Sequence, residues 1–183
     1  ELSAIGAKTT GTVTVTNAIA ITGSPAEVTA ALVTAGSLVE VTDATVTITG
    51  NPTITELNNI AAKTTGVVTA TLAADSLSNL GALTTAGTDQ ITITVNDADA
   101  AGVTAADLST LGGKTAGTVT VTNAVAITGS ASELTAALVT AGSLVEVSDA
   151  TVTVNDADAA AITATELSAI GAKTTGTVTV TNA

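Results

Sequence analysis

Residues 1–18, ELSAIGAKTTGTVTVTNA, recur letter for letter at residues 166–183. Residues 11–47 recur at 117–153 with five changes: Ile19 to Val125, Pro25 to Ala131, Ala26 to Ser132, Val28 to Leu134 and Thr42 to Ser148. A chain that repeats on this scale buries its apolar residues unit against unit rather than in one central core. We therefore expect one repeat array over residues 1–183. The phrase that opens the chain also closes it, and the chain contains no Met. It reads as a window on a longer array, a mature form or a piece of something larger.

One glycine per unit marks the smaller period. Gly11, Gly36, Gly66, Gly87, Gly117, Gly142 and Gly176 follow one another at spacings of 25, 30, 21, 30, 25 and 34 residues. Short and long units thus alternate. Lys8, Lys63, Lys114 and Lys173 each stand three residues before such a glycine, once per pair of units. The two-coil repeats fall at approximately 1–55, 56–105, 106–165 and, in part, 166–183.

Local patterns within a unit agree with each other. Thr12–Thr16, Thr45–Thr49, Ile91–Val95 and Thr118–Thr122 alternate at period two, as a strand does with Val or Ile inward and Thr outward. Asn-Ala or Asp-Ala follows at Asn17, Asp43, Asn123 and Asp149, suited to a turn. A second short strand comes next, at Ile19–Thr22 or Val125–Thr128. Capping boxes then open short helices at Ser24/Glu27, Thr53/Glu56, Ser130/Glu133 and Thr163/Glu166, with a weaker version at Thr104/Asp107. Each helix is expected to stop at the unit's glycine, often with Lys in its last turn. The predicted fold is a β-solenoid with two short strands and a short capped helix per 21–34-residue coil. With coils about 4.8 Å apart, it would form a rod on the order of 30 Å long. The alternative is a series of tandem β-sandwich domains, for which the period is short and the helices have no place.

Composition narrows the chemistry. Thr occurs 41 times and Ala 37 times, and there is no Cys, His, Arg or aromatic residue. Zinc sites, thiol nucleophiles and imidazole bases are excluded. A formal net charge of −12 argues against nucleic acid and anionic membranes as partners. Every apolar run is interrupted well before 18 residues, so no membrane insertion is expected. No constellation of Ser, Thr, Lys and Asp suggests catalysis, and we expect no enzyme.

The sharpest polar motifs are Asn96-Asp97-Ala98-Asp99 and Asn155-Asp156-Ala157-Asp158. Carboxylates beside an amide oxygen could hold calcium, making Asn96, Asp97, Asp99, Asn155, Asp156 and Asp158 candidate ligands. The same residues also suit a solvated acidic loop. Asn17, Asp43, Asn123, Asp149 and Asn182 should form a ladder of turns, broken by Leu72 in the third unit. Outward rows such as Thr12/Thr14/Thr16, Thr92/Thr94 and Thr118/Thr120/Thr122 resemble those of ice-binding proteins, although Glu40 and Glu146 interrupt them. The lysines could pair with acidic residues of neighbouring coils.

The phrases GTVTVTNA, ELTAALVTAGSLVEVSDATVTV and VNDADA resemble the long Thr/Ala/Val/Gly-rich, cysteine-free arrays of giant bacterial surface proteins of S-layer, adhesin and extracellular-fibre type. The resemblance covers the whole chain. It implies an exported, acidic polymer at the cell surface, often associated with calcium. The expectation is a non-catalytic structural module of an extracellular filament, sheath or adhesin stalk, partnered by further copies or by continuation of the same array. A calcium-binding or ice-binding module is the alternative.

Overall fold

Strands in this chain pair with strands of neighbouring units, and every pairing is parallel. A tight turn cannot join a parallel pair, so each needs a crossover, usually a helix. The computed structural model describes residues 1–34, 36, 39–140, 142 and 145–181. Its elements run α1 (Leu2–Gly6), β1 (Val13–Val15), β2 (Ala20–Gly23), α2 (Pro25–Leu32), β3 (Val39–Val41) and β4 (Thr45–Ile48). Then come α3 (Ile54–Ala61), β5 (Val68–Thr71), α4 (Leu77–Leu80), β6 (Gln90–Val95), β7 (Gly102–Thr104) and α5 (Ala105–Gly112). The chain continues through β8 (Val119–Val121), β9 (Ala126–Gly129) and α6 (Ala131–Leu134), which a π-helical turn at Thr135–Val139 extends. It ends with β10 (Val145–Val147), β11 (Thr151–Val154), α7 (Ala164–Gly171) and β12 (Val178–Val180).

The strands form three sheets: β1-β3, β10-β8-β6-β5-β4-β2 and β12-β11-β9-β7. With seven helices among the described residues, this is an α/β fold. The expected β-solenoid does not form, and neither do tandem sandwiches. The physical reason is visible at β6, which is six residues long and serves two partners. Gln90–Thr92 pair with Thr69–Thr71 of β5, while Ile93–Val95 pair with Val119–Val121 of β8. The ladder therefore steps sideways along a strand instead of wrapping into a uniform closed coil.

The alternation read from the sequence does hold. In β4 the burial pattern is exposed, buried, exposed, buried. Register carries it across units: Ile21, Val46 and Val68 stack inward, as do Val103, Ile127 and Val152. Leu57, Ile60, Leu80, Leu108, Leu111 and Leu134 from the helices close the core, all essentially inaccessible. Each such side chain contributes about 1.5–3 kcal/mol relative to an exposed position. The interior is thin, and medium-sized aliphatics fill it without aromatics.

All four expected capping boxes are reciprocal: the Ser or Thr hydroxyl accepts from the amide three residues on, and the glutamate accepts from the cap's own amide. At Thr104 the hydroxyl accepts from the Asp107 amide at 3.1 Å and donates to its carboxylate at 2.6 Å. The expected helix ends need correcting. α3, α5 and α7 stop at Ala61, Gly112 and Gly171, five residues before the unit glycines, and their last turns contain no Lys. Their C-caps are right-handed, so the unit glycines do not serve as left-handed caps.

At Gly66, Gly117 and Gly176 the task is close approach. A Cβ on Gly66 would collide with the Ala44 carbonyl oxygen, and one on Gly117 with that of Ile91. On Gly176 it would run into the Ala150 carbonyl oxygen. In each case the obstructing carbonyl belongs to the preceding unit.

Thr29 and Thr135, counterparts in the 11–47 and 117–153 repeats, bury hydroxyl oxygens that have no hydrogen-bond partner. Valine has the same shape without the unpaired hydroxyl. Thr29→Val and Thr135→Val should therefore each raise stability by about 1 kcal/mol, read from urea midpoints. A loss of stability in both would show that the hydroxyls are solvated.

Candidate functional site

The two Asn-Asp-Ala-Asp motifs lie in loops, one between β6 and β7 and the other after β11. Each loop turns at an alanine with positive φ, Ala100 at 60° and Ala159 at 61°. That left-handed geometry is unusual for a residue with a Cβ, and here it recurs at the same position of both motifs.

The first loop fastens itself to the units on both sides. Asp97 Oδ2 accepts from the Leu77 amide at 2.7 Å, at the start of α4. Asp99 Oδ1 accepts from the Ala124 amide at 3.1 Å, and the Ala100 amide donates to the Ala124 carbonyl at 2.8 Å. Asn123 Nδ2 donates to the Asp97 carbonyl at 2.6 Å and to that of Asn96 at 3.2 Å. In the second loop Asp156 Oδ2 accepts from the Ala131 amide at 2.7 Å, at the start of α6. The Asn155 amide donates to the Gly129 carbonyl at 3.0 Å. Asn96, Asp99, Asn155 and Asp158 are exposed, while Asp97 and Asp156 are partly covered.

This geometry makes the motifs staples between units. Asp97 and Asp156 use carboxylate oxygens to satisfy amides at helix starts, which otherwise lack intrahelical partners. Among the described residues, no three His, Cys, Asp or Glu side chains converge as a metal-holding group.

The other polar positions fall into place similarly. Asp43-Ala44 and Asp149-Ala150 present their backbone carbonyls to Gly66 and Gly176. Leu72, at the break in the ladder, is buried, and Asn182 lies outside the described residues. Lys114 Nζ donates to the Gly81 carbonyl at 2.7 Å, so it caps the end of α4 in a neighbouring unit. The outward threonines do align, as Thr22–Thr47–Thr69 and Thr104–Thr128–Thr153–Thr179. Gln90 opposite Thr69 ends the first of these rows, and Glu40 opposite Thr14 and Glu146 opposite Thr120 interrupt others.

Two linking residues escaped the sequence reading. Asp89 is 4% exposed, and accepts from the Val68 amide at 2.8 Å and the Ala86 amide at 3.0 Å. Buried Thr115 accepts from the amides of Ile91 and Gly117, and lies within donating reach of the Asp89 and Ile91 carbonyls. Thr64 and Thr174 play the same part against the Ala44 and Ala150 carbonyls. The sequence places a Thr two residues before every unit glycine, at 9, 34, 64, 85, 115, 140 and 174, and of these Thr64, Thr85, Thr115 and Thr174 reach a carbonyl of another unit.

The capping glutamates set a pH dependence. Hydrogen bonds from the Ser24 amide, then its hydroxyl, hold Glu27 below the usual glutamate value. The Thr53 amide, then its hydroxyl, do the same for Glu56, as do the Thr163 hydroxyl and then its amide for Glu166. The unfolded chain then binds protons more readily than the folded one, so stability falls as pH drops. The melting temperature should decline from the unfolded glutamate value, about 4.3, downward. Glu27→Gln, Glu56→Gln and Glu166→Gln combined should flatten that decline in circular-dichroism melts. An unchanged slope would sink the assignment.

No helix among the described residues is long and apolar enough to cross a membrane. No family model, curated protein or solved structure matches this chain.

Proposed function

We propose that the chain is a non-catalytic structural module of an extracellular filament, sheath or adhesin stalk at a bacterial surface. The observation that carries this reading is where its polar groups are used. Asp89, Asp97, Asp99 and Asp156 each accept from a backbone amide of a neighbouring unit, while Thr64, Thr115 and Thr174 lie within donating reach of neighbouring carbonyls. These seven side chains are occupied in joining units. Repeated joining without variation is what a load-carrying array needs, and a site for one ligand does not need it.

The interior supports the same reading. Each unit contributes a few aliphatic side chains that complete their burial against the next unit. Such an array extends by adding units with no change of design.

Electron microscopy of native material tests the proposal. Filaments, sheaths or fibrous surface layers labelled by an antibody against this chain are the expected result. Label confined to dispersed single molecules, or to the cell interior, would overturn it.

A further inference from the structure

The sheet β12-β11-β9-β7 ends at β7, well inside the chain. The cause is the short unit before it, where β5 is the one strand among the described residues between Gly66 and Gly87. β5 pairs with β4 and β6, and β7 pairs with β9. Beside β7, where a second strand of that unit would lie, there is an open cleft of about 420 Å³ between β7, α4 and α5. That is within the size range of ligand sites, about 300–1,000 Å³.

β7 leaves backbone groups unpaired on this side. Bonding residues alternate along a parallel strand. The Ala126 amide donates to the Ala101 carbonyl at 2.8 Å, so Ala101 and Val103 are the residues that bond toward β9. The amide and carbonyl of Gly102 and the amide of Thr104 therefore turn away from β9, and both residues are exposed and line the cleft. Thr104 is also an exception among the caps. At the four glutamate caps the carboxylate closes over the cap's own amide. Asp107 is one methylene shorter, and its carboxylate accepts from the Thr104 hydroxyl at 2.6 Å, leaving that amide open. At Gly102 a Cβ would meet nothing within 4 Å, while Ala126 and Thr151 carry side chains in the same row.

The charges lining the cleft favour a cation. Asp97 uses Oδ2 on the Leu77 amide and Asp107 uses Oδ2 on Thr104, so each keeps a second carboxylate oxygen. Lys114 places its ammonium on the Gly81 carbonyl.

We propose that this cleft takes an extended peptide of another protein as an added strand. The peptide pairs with Gly102 and Thr104 and sets a lysine or arginine side chain against Asp97 and Asp107. Main-chain pairing supplies the fit, and charge supplies the selection. The net charge of −12 draws such a segment in from a distance. This is a side-on attachment point, separate from the joints along the array, and it stands or falls independently of the filament reading.

Amide NMR of the whole chain tests it, with acetyl-Val-Lys-Val-amide and acetyl-Val-Glu-Val-amide as probes. The lysine peptide should give saturable shifts at Gly102 and Thr104, and the glutamate peptide should give none. Asp107→Glu keeps the charge but lengthens the side chain to match the other caps, so that it closes over the Thr104 amide. It should weaken lysine-peptide binding by about tenfold while the amide signals of distant units stay in place. The proposal is overturned if the lysine peptide produces no saturable shift at these two amides, if the glutamate peptide binds equally well, or if Asp107→Glu binds as tightly as the parent.

Discussion

Gly176→Ala should destabilise the fold by roughly 3 kcal/mol or more, while Gly11→Ala, the same letter of the same phrase, should change it by less than about 0.5 kcal/mol. The difference comes from what lies opposite. The new methyl at 176 meets the backbone carbonyls of Ala150 and Asp149, which cannot rotate away as a side chain could. At 11 its nearest neighbour is the Thr9 hydroxyl at 3.6 Å, an ordinary contact. Gly117→Ala should match Gly176→Ala, because its methyl would collide with the Ile91 oxygen and lie 2.9 Å from the Ile91 nitrogen. Urea unfolding of the three variants measures this directly. Equal midpoints for Gly11→Ala and Gly176→Ala would refute the close approach of neighbouring backbones.

Asp89→Ala is the second large effect. It leaves the Val68 amide without its acceptor at a buried site and the Ala86 amide without its acceptor at a partly buried one. Unpaired, the buried Val68 amide costs about 1–3 kcal/mol and the partly buried Ala86 amide less, so the loss should be roughly 1.5–4 kcal/mol. Asp89→Asn should cost less, because its amide oxygen can serve one of the two donors while its NH₂ faces the other. Thermal melts would show the ordering Asp, Asn, Ala. An Asp89→Ala chain as stable as the parent would mean that water reaches these amides.

Much of the local structure was legible. Period-two runs became strands, and Ser24/Glu27 and its three counterparts became reciprocal caps, because both signals depend on residues within four positions of each other. Strand partners were not legible. The same Val-Thr-Val pairs with β3 at 13–15, with β6 and β10 at 119–121, and with β11 at 178–180. Identical letters cannot encode different partners, so the neighbours decide, and the sheet architecture was misjudged for that reason. The acidic loops illustrate the same limit. Asn-Asp-Ala-Asp suggested an ion because its local chemistry is that of an oxygen donor. The amides that engage Asp97, Asp99 and Asp156 come from 20, 25 and 25 residues away. Asp89 carried no local signal at all.

The double pairing of β6 also governs how unfolding spreads. A stack of units held by nearest-neighbour contacts frays from its ends one unit at a time. Fraying that arrives from the amino-terminal side strips β5 from Gln90–Thr92 and leaves Ile93–Val95 fastened to β8. Fraying from the carboxy-terminal side does the reverse. In both directions the front halts midway along a strand, with half its ladder intact and its inward Ile91, Ile93 and Val95 still anchoring the core. β6 is thus a firebreak, and hydrogen exchange should find its amides among the slowest in the chain.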